Sequence, residues 1–161
     1  MIAQPFPQLD EIARITDQLK RAFDGEAWHG DSVMEILADV DAKTAAARPI
    51  PGAHSIWEIV NHVSAWEEAL RHRVLGEPKE LEGEQDWPPV KDSSAAEWKK
   101  TVETLRKRHD ALVQAVAALP DYKLLAAAPG RDHDYYHMLH GTVQHELYHA
   151  GQIALLKKIR K

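Results

Sequence analysis

His145-Glu146-Leu147-Tyr148-His149 is the stretch around which this chain is organised. Two histidines four apart on a helix lie on one face, about one turn from each other. Both imidazoles can then reach the same metal ion. The stretch sits inside the longest uninterrupted helical pattern of the sequence, from about Tyr135 to near the C-terminus. Met138, Thr142, His145, His149, Gln152 and Leu156 share one face of it, flanked by Leu139, Ala150 and Ile153. Asp134 stands as an N-cap. Lys157, Lys158, Arg160 and Lys161 put positive charge at the other end, where it suits the helix dipole.

Upstream of that helix, Ser94 and Glu97 have capping-box spacing. Trp98, Val102, Leu105, His109, Leu112, Val116 and Leu119 follow at steps of four and three until Pro120. Another capping box, Ser55 with Glu58, opens a helix striped by Ile59, Val63, Trp66, Leu70 and Val74 and closed by Gly76 and Pro78. His62 lies next to that stripe. Nearer the N-terminus, Leu9, Ile12, Thr16, Leu19 and Phe23 mark a helix from about Gln8 to Phe23. Gly25 and the segment Ala27 to Gly30 interrupt it. A second piece starts at Asp31 or Ser32, with Ser32 and Glu35 as its capping box and Val33, Leu37, Val40 and Thr44 inside. Pro49, Pro51 and Gly52 stop it. Long polar connectors run from Glu77 to Ser93 and from Tyr122 to Asp134, and no alternating segment reads as a strand. The expected architecture is one all-α domain over residues 1–161, a four-helix bundle with its first helix in two pieces.

Composition narrows the partners. The chain has 161 residues, 28% of them charged, and a formal net charge of -5. Lys and Arg are not gathered into a basic patch, so nucleic acid is not an expected partner. No run approaches the roughly 18 apolar residues of a membrane span. Met1 to Asp10 shows no basic region followed by an apolar run, so no signal peptide is expected. Cysteine is absent, which excludes thiolate ligands and a cysteine nucleophile and fits a cytoplasmic location. Ten histidines are many for this length.

The five-residue stretch also matches the His-Glu-x-x-His pattern of zinc peptidases, in which the glutamate activates a water. Those enzymes draw a third ligand from downstream. Ala150 to Lys161 contains no His, Asp or Glu, so the third ligand must lie upstream, and His62 is the best candidate. Three neutral imidazoles leave a position for water or substrate, the arrangement of a catalytic zinc-type site. Nitrogen ligands alone do not choose among zinc, nickel, iron, manganese and copper.

Other residues carry two readings. Glu58, four before His62, is a base candidate or simply the capping partner of Ser55. Glu146 is a base candidate, but its projection away from the histidine pair suggests a flank or the surface. Gln152, seven after His145, is placed to orient a ligand from behind. His109, on an otherwise apolar stripe, reads as a satisfied core histidine, with a fourth ligand or a supporting group behind the site as the alternatives. His29 and His54 are candidates for the site mouth, whereas His133, His137 and His140 read as solvated. Trp57 and Trp66 read as core, with a substrate platform as the alternative, and Gly141 as a close-packing position.

Asn61-His62, the run from Gly141 to His149 and above all the segment from His145 through Ala150-Gly151-Gln152-Ile153 resemble the DinB-like (DinB/YfiT) superfamily. Trp28-His29-Gly30 and Ala53 to Trp57 resemble it too. The resemblance implies a bundle in up-down-down-up order. It implies one divalent metal, zinc or nickel first and iron or manganese next, held by His62, His145 and His149. It also implies a small-molecule substrate, with thiol S-transfer from a low-molecular-weight thiol or hydrolysis as the reaction, and it admits a homodimer. A non-catalytic or stress-related protein with a structural or sensing metal is the alternative, because a shared fold does not settle function.

Overall fold

The computed structural model describes residues 10–159, and the expected start at Gln8 and the final Arg160 and Lys161 lie outside them. Among the described residues there are six α-helices and no strand, only an isolated bridge between Ala127 and Asp134. They are α1 (Glu11–Asp24), α2 (Val33–Leu37), α3 (Ala42–Ala46), α4 (Ile56–Val74), α5 (Ala95–Ala117) and α6 (Tyr135–Lys158). The four long helices pack as a ring, α1 on α5, α5 on α4, α4 on α6 and α6 on α1. Short α2 and α3 close one end against α6, α4 and α5.

Side-chain caps set the helix starts. Asp10, Asp41, Ser55, Ser94 and Asp134 each accept an amide of the following turn. Ser55 and Glu58 complete a reciprocal box, as do Ser32 and Glu35. The box expected at Ser94 is only half made. Its hydroxyl caps Glu97, but its own amide goes to Asp92 Oδ1, and Glu97 pairs with Lys100. The second piece of the first helix also differs from expectation. It is broken at Ala38–Asp41, where the Asp41 carboxylate starts a new helix by accepting the Thr44 amide at 2.7 Å.

The core is divided. One apolar cluster gathers Trp57, Trp98, Leu105, Ile153 and Leu156 around α2 and α3, and the other gathers Ile15, Leu19, Leu112, Val116 and Leu139 toward the opposite end. Each fully buried leucine contributes about 2 kcal/mol. Trp98 Nε1 donates to the Val40 carbonyl at 2.7 Å and fastens the α2–α3 link to α5. Between the two clusters, three helices place a buried polar side chain on the inner face: Glu67 on α4, His109 on α5 and Glu146 on α6.

Candidate metal centre

α4 and α6 pack against each other, and their inner faces bring His62, His145 and His149 together. His145 Nε2 lies 3.1 Å from His62 Nε2 and 3.1 Å from His149 Nε2. Ligand atoms about 2.0–2.1 Å from a tetrahedral ion stand roughly 3.3 Å apart, so the spacing suits one metal. The proton inventory agrees. His62 Nδ1 donates to the Asp86 carbonyl at 2.8 Å, and His149 Nδ1 donates to Gln152 Oε1 at 2.7 Å. Both Nε2 atoms therefore present lone pairs. His145 Nε2 carries at most one proton and cannot donate to both. Three imidazole nitrogens converge with at most one proton among them, and the donor set fits a divalent ion.

Electrostatics keep these rings neutral. Burial, with His149 and His62 beside it, drives the His145 imidazole down to about 3. His62 and His149 are also lowered, in each case chiefly by burial. Neutral imidazole is the form a metal requires.

The connector after α4 supports the site. A 3-10 turn, Gly83–Gln85, delivers Asp86 and Trp87 over His62. Trp87 stacks on the His62 ring at 3.9 Å, and His54 stacks on Trp87 at 3.7 Å. Asp86 Oδ1 accepts from Trp66 Nε1 at 2.7 Å and lies 3.1 Å from His62 Nδ1. Asn61 pins the same connector through the Pro88 carbonyl at 3.1 Å. These contacts fix the ring plane of His62, as partners behind a metal ligand do.

A cavity of about 530 Å³ opens beside the three imidazoles. Trp66, Leu70, Trp87 and Met138 give it apolar walls, and Arg73, Arg131, His133 and His137 bring positive or protonatable groups to its lining. Glu80 bridges the two arginines, 2.9 Å from Arg73 and 2.6 Å from Arg131. Arg73 is buried, and its Nε has no partner among the described residues.

A separate group lies in the polar layer of the core. His109 Nδ1 is 3.2 Å from Glu67 Oε1 and 3.5 Å from Glu146 Oε1. Burial alone would lower the His109 imidazole, but hydrogen bonding and charge from Glu146 and Glu67 outweigh it and raise it to about 9. Burial and the neighbouring Glu67 push Glu146 well above the usual carboxylate range.

The expected site residues therefore part company. His62, His145, His149 and Gln152 assemble at one place. Glu58 is a capping residue, taken by Ser55 and Arg48. Glu146 is neither on a flank nor at the surface. It is only 1% exposed, because the inner face of α6 is wider than the histidine pair and extends to the layer shared with α4 and α5. His109 is in that layer, with Glu67 and Glu146, rather than behind the three imidazoles. His133 and His137, expected to be solvated, line the cavity, and so does Trp66. His54 reaches the site through Trp87, whereas His29 lines a different depression with Val143 and Leu147. Gly141 is not a close-packing position, since an added Cβ would meet nothing within 4 Å and the residue lines the cavity. Asp86, Trp87 and Glu67 escaped sequence reasoning. Asp86 and Trp87 sit in an aperiodic connector, but Glu67 left a signal: it follows Val63 by four and precedes Leu70 by three, a charged residue on an apolar face.

Sequence comparison agrees with this architecture. A search of curated proteins gives no match, and a search of solved structures gives none either. A family model described as the DinB superfamily matches residues 27–153, which takes in α2 to α5 and α6 through Ile153, with all three clustered histidines. The all-helical fold and the residues matched place this chain in the DinB superfamily.

Proposed function

We propose that this protein is a metal-dependent enzyme acting on a small molecule, with His62, His145 and His149 as the metal ligands. The observation that carries the reading is the convergence of three Nε2 atoms at the edge of an apolar-walled cavity of about 530 Å³. A divalent ion there would act as a Lewis acid and lower the pKa of a water or thiol within its reach. Asp86 and Gln152 hold the two outer imidazoles in the tautomer that faces the ion. Trp66, Trp87 and Met138 exclude water from an apolar substrate body. The chain has no cysteine, so for thiol S-transfer the attacking thiol would come from a low-molecular-weight cosubstrate. Hydrolysis is the other reaction the same ligands support. The absence of cysteine also suits a reducing cytoplasm.

The test is a panel of low-molecular-weight thiols with small electrophiles, run on protein loaded with zinc or nickel. The reading predicts thiol consumption that stops in His145→Ala. Turnover of simple esters or amides with no thiol dependence would move the assignment to hydrolase. Silence in every arm from fully metallated protein would make the metal structural or sensory.

A further inference from the structure

We propose that Glu67, His109 and Glu146 form a second metal site, buried in the core, that takes one divalent first-row transition ion through two carboxylates and an imidazole. Each residue comes from a different long helix, and each is at most 2% exposed. Their candidate ligand atoms lie within 4.8 Å of one another. The His109 Nδ1 distances, 3.2 Å to Glu67 Oε1 and 3.5 Å to Glu146 Oε1, bracket the roughly 3.3 Å edge of a tetrahedral nitrogen and oxygen site.

The buried polar atoms of this layer outnumber the donors that reach them. Glu67 Oε2 and both Glu146 oxygens are buried with no well-formed hydrogen bond among the described residues, and His109 Nδ1 comes only to 3.5 Å from Glu146 Oε1. One N–H at His109 Nδ1 faces two carboxylates, with Glu67 the nearer. A buried carboxylate short of donors is costly, and here Glu67 and Glu146 share the single N–H of His109. A divalent ion would balance their charge and occupy lone pairs that no donor reaches. Protons are the competing occupants. His109 Nε2 lacks a partner as well, and it does so whether a metal or a proton fills the cluster.

The chemistry of the donors separates this site from the three-imidazole one. Two carboxylates with one imidazole suit manganese, iron or zinc. Phe23 of α1 stacks on the His109 ring at 3.8 Å and walls the cluster off from solvent. The ion is therefore structural: it ties α4, α5 and α6 across the gap between the two apolar clusters.

Metal-stripped protein reloaded with zinc or manganese and freed of loose ion by gel filtration tests this. Elemental analysis is expected to give two equivalents in the wild type and one in Glu67→Gln. His62→Ala/His149→Ala is expected to keep one equivalent, and adding Glu67→Gln removes it. Since core variants can fail to fold, the wild type carries its own arm. With the three-histidine site filled by zinc, added manganese should give a bound electron paramagnetic resonance signal and raise the melting temperature. One equivalent in the folded wild type, or two that survive Glu67→Gln, would overturn the proposal. Loss of metal on His62→Ala alone bears on the first site and leaves this one standing.

Discussion

His145 and Glu146 are consecutive on α6 and face two different buried clusters. His145 Nε2 is 3.1 Å from His62 and from His149, whereas Glu146 Oε1 is 3.5 Å from His109 Nδ1. A helix turns by about 100° per residue, so neighbouring positions look into different parts of the ring of helices. On α4 the same division falls between His62 and Glu67. The two helices thus hold a cavity-side imidazole group and a core carboxylate group within one packed layer of the molecule.

Gln152 acts through His149. Replacing it by alanine removes the acceptor that fixes the ring tautomer, and metal affinity is expected to fall about 10- to 100-fold. Gln152→Glu keeps an acceptor and should retain much of the affinity. Competition with a chromophoric chelator measures both, and equal affinities for wild type and Gln152→Ala would remove Gln152 from the site.

Gly141 separates stability from access. An added Cβ meets nothing, so Gly141→Ala should raise stability by roughly 0.5–1 kcal/mol through helix propensity. Gly141→Leu projects into the cavity and should raise KM for a small substrate while metal content stays the same. Urea unfolding and steady-state kinetics check the two halves, and a destabilised alanine variant would contradict the open geometry.

The start of α4 carries an acid-sensitive contribution. Burial would raise the Glu58 carboxyl, but hydrogen bonds from Ser55 and the charge of Arg48 outweigh it and hold it below the ordinary 4.5. A lowered folded-state value means that the unfolded chain takes the proton first as pH falls. The stability gap between wild type and Glu58→Gln should be fully present above about pH 4.5 and shrink to nothing below it. Ser55→Ala should cost about 1 kcal/mol at neutral pH. Denaturant titrations at several pH values check this, and a gap that widens in acid would refute the box as its source.

Most of the helical frame was legible because apolar periodicity and side-chain caps are local signals. Ile59, Val63 and Leu70, and Trp98, Leu105 and Leu112, are buried where their spacing put them. The break between α2 and α3 was missed because Val33 to Thr44 keeps a helical period across it, and the Asp41 cap lies inside the stripe. The His145 and His149 pair is readable from spacing alone, and His62 from its position beside a stripe. Asp86 and Trp87 reach the site through a connector with no periodicity, so only folding reveals them. The Glu67, His109 and Glu146 layer was legible one residue at a time, as three polar intrusions on apolar faces. Their meeting depends on how three helices align, which no single helix encodes.

The proposed metal centre depends most directly on His62 joining His145 and His149. Metal content of folded His62→Ala, reloaded with zinc beside the wild type and measured by elemental analysis, tests that claim. The three-imidazole geometry predicts one equivalent fewer than the wild type, with helical content unchanged. An undiminished metal content in the folded variant would contradict it.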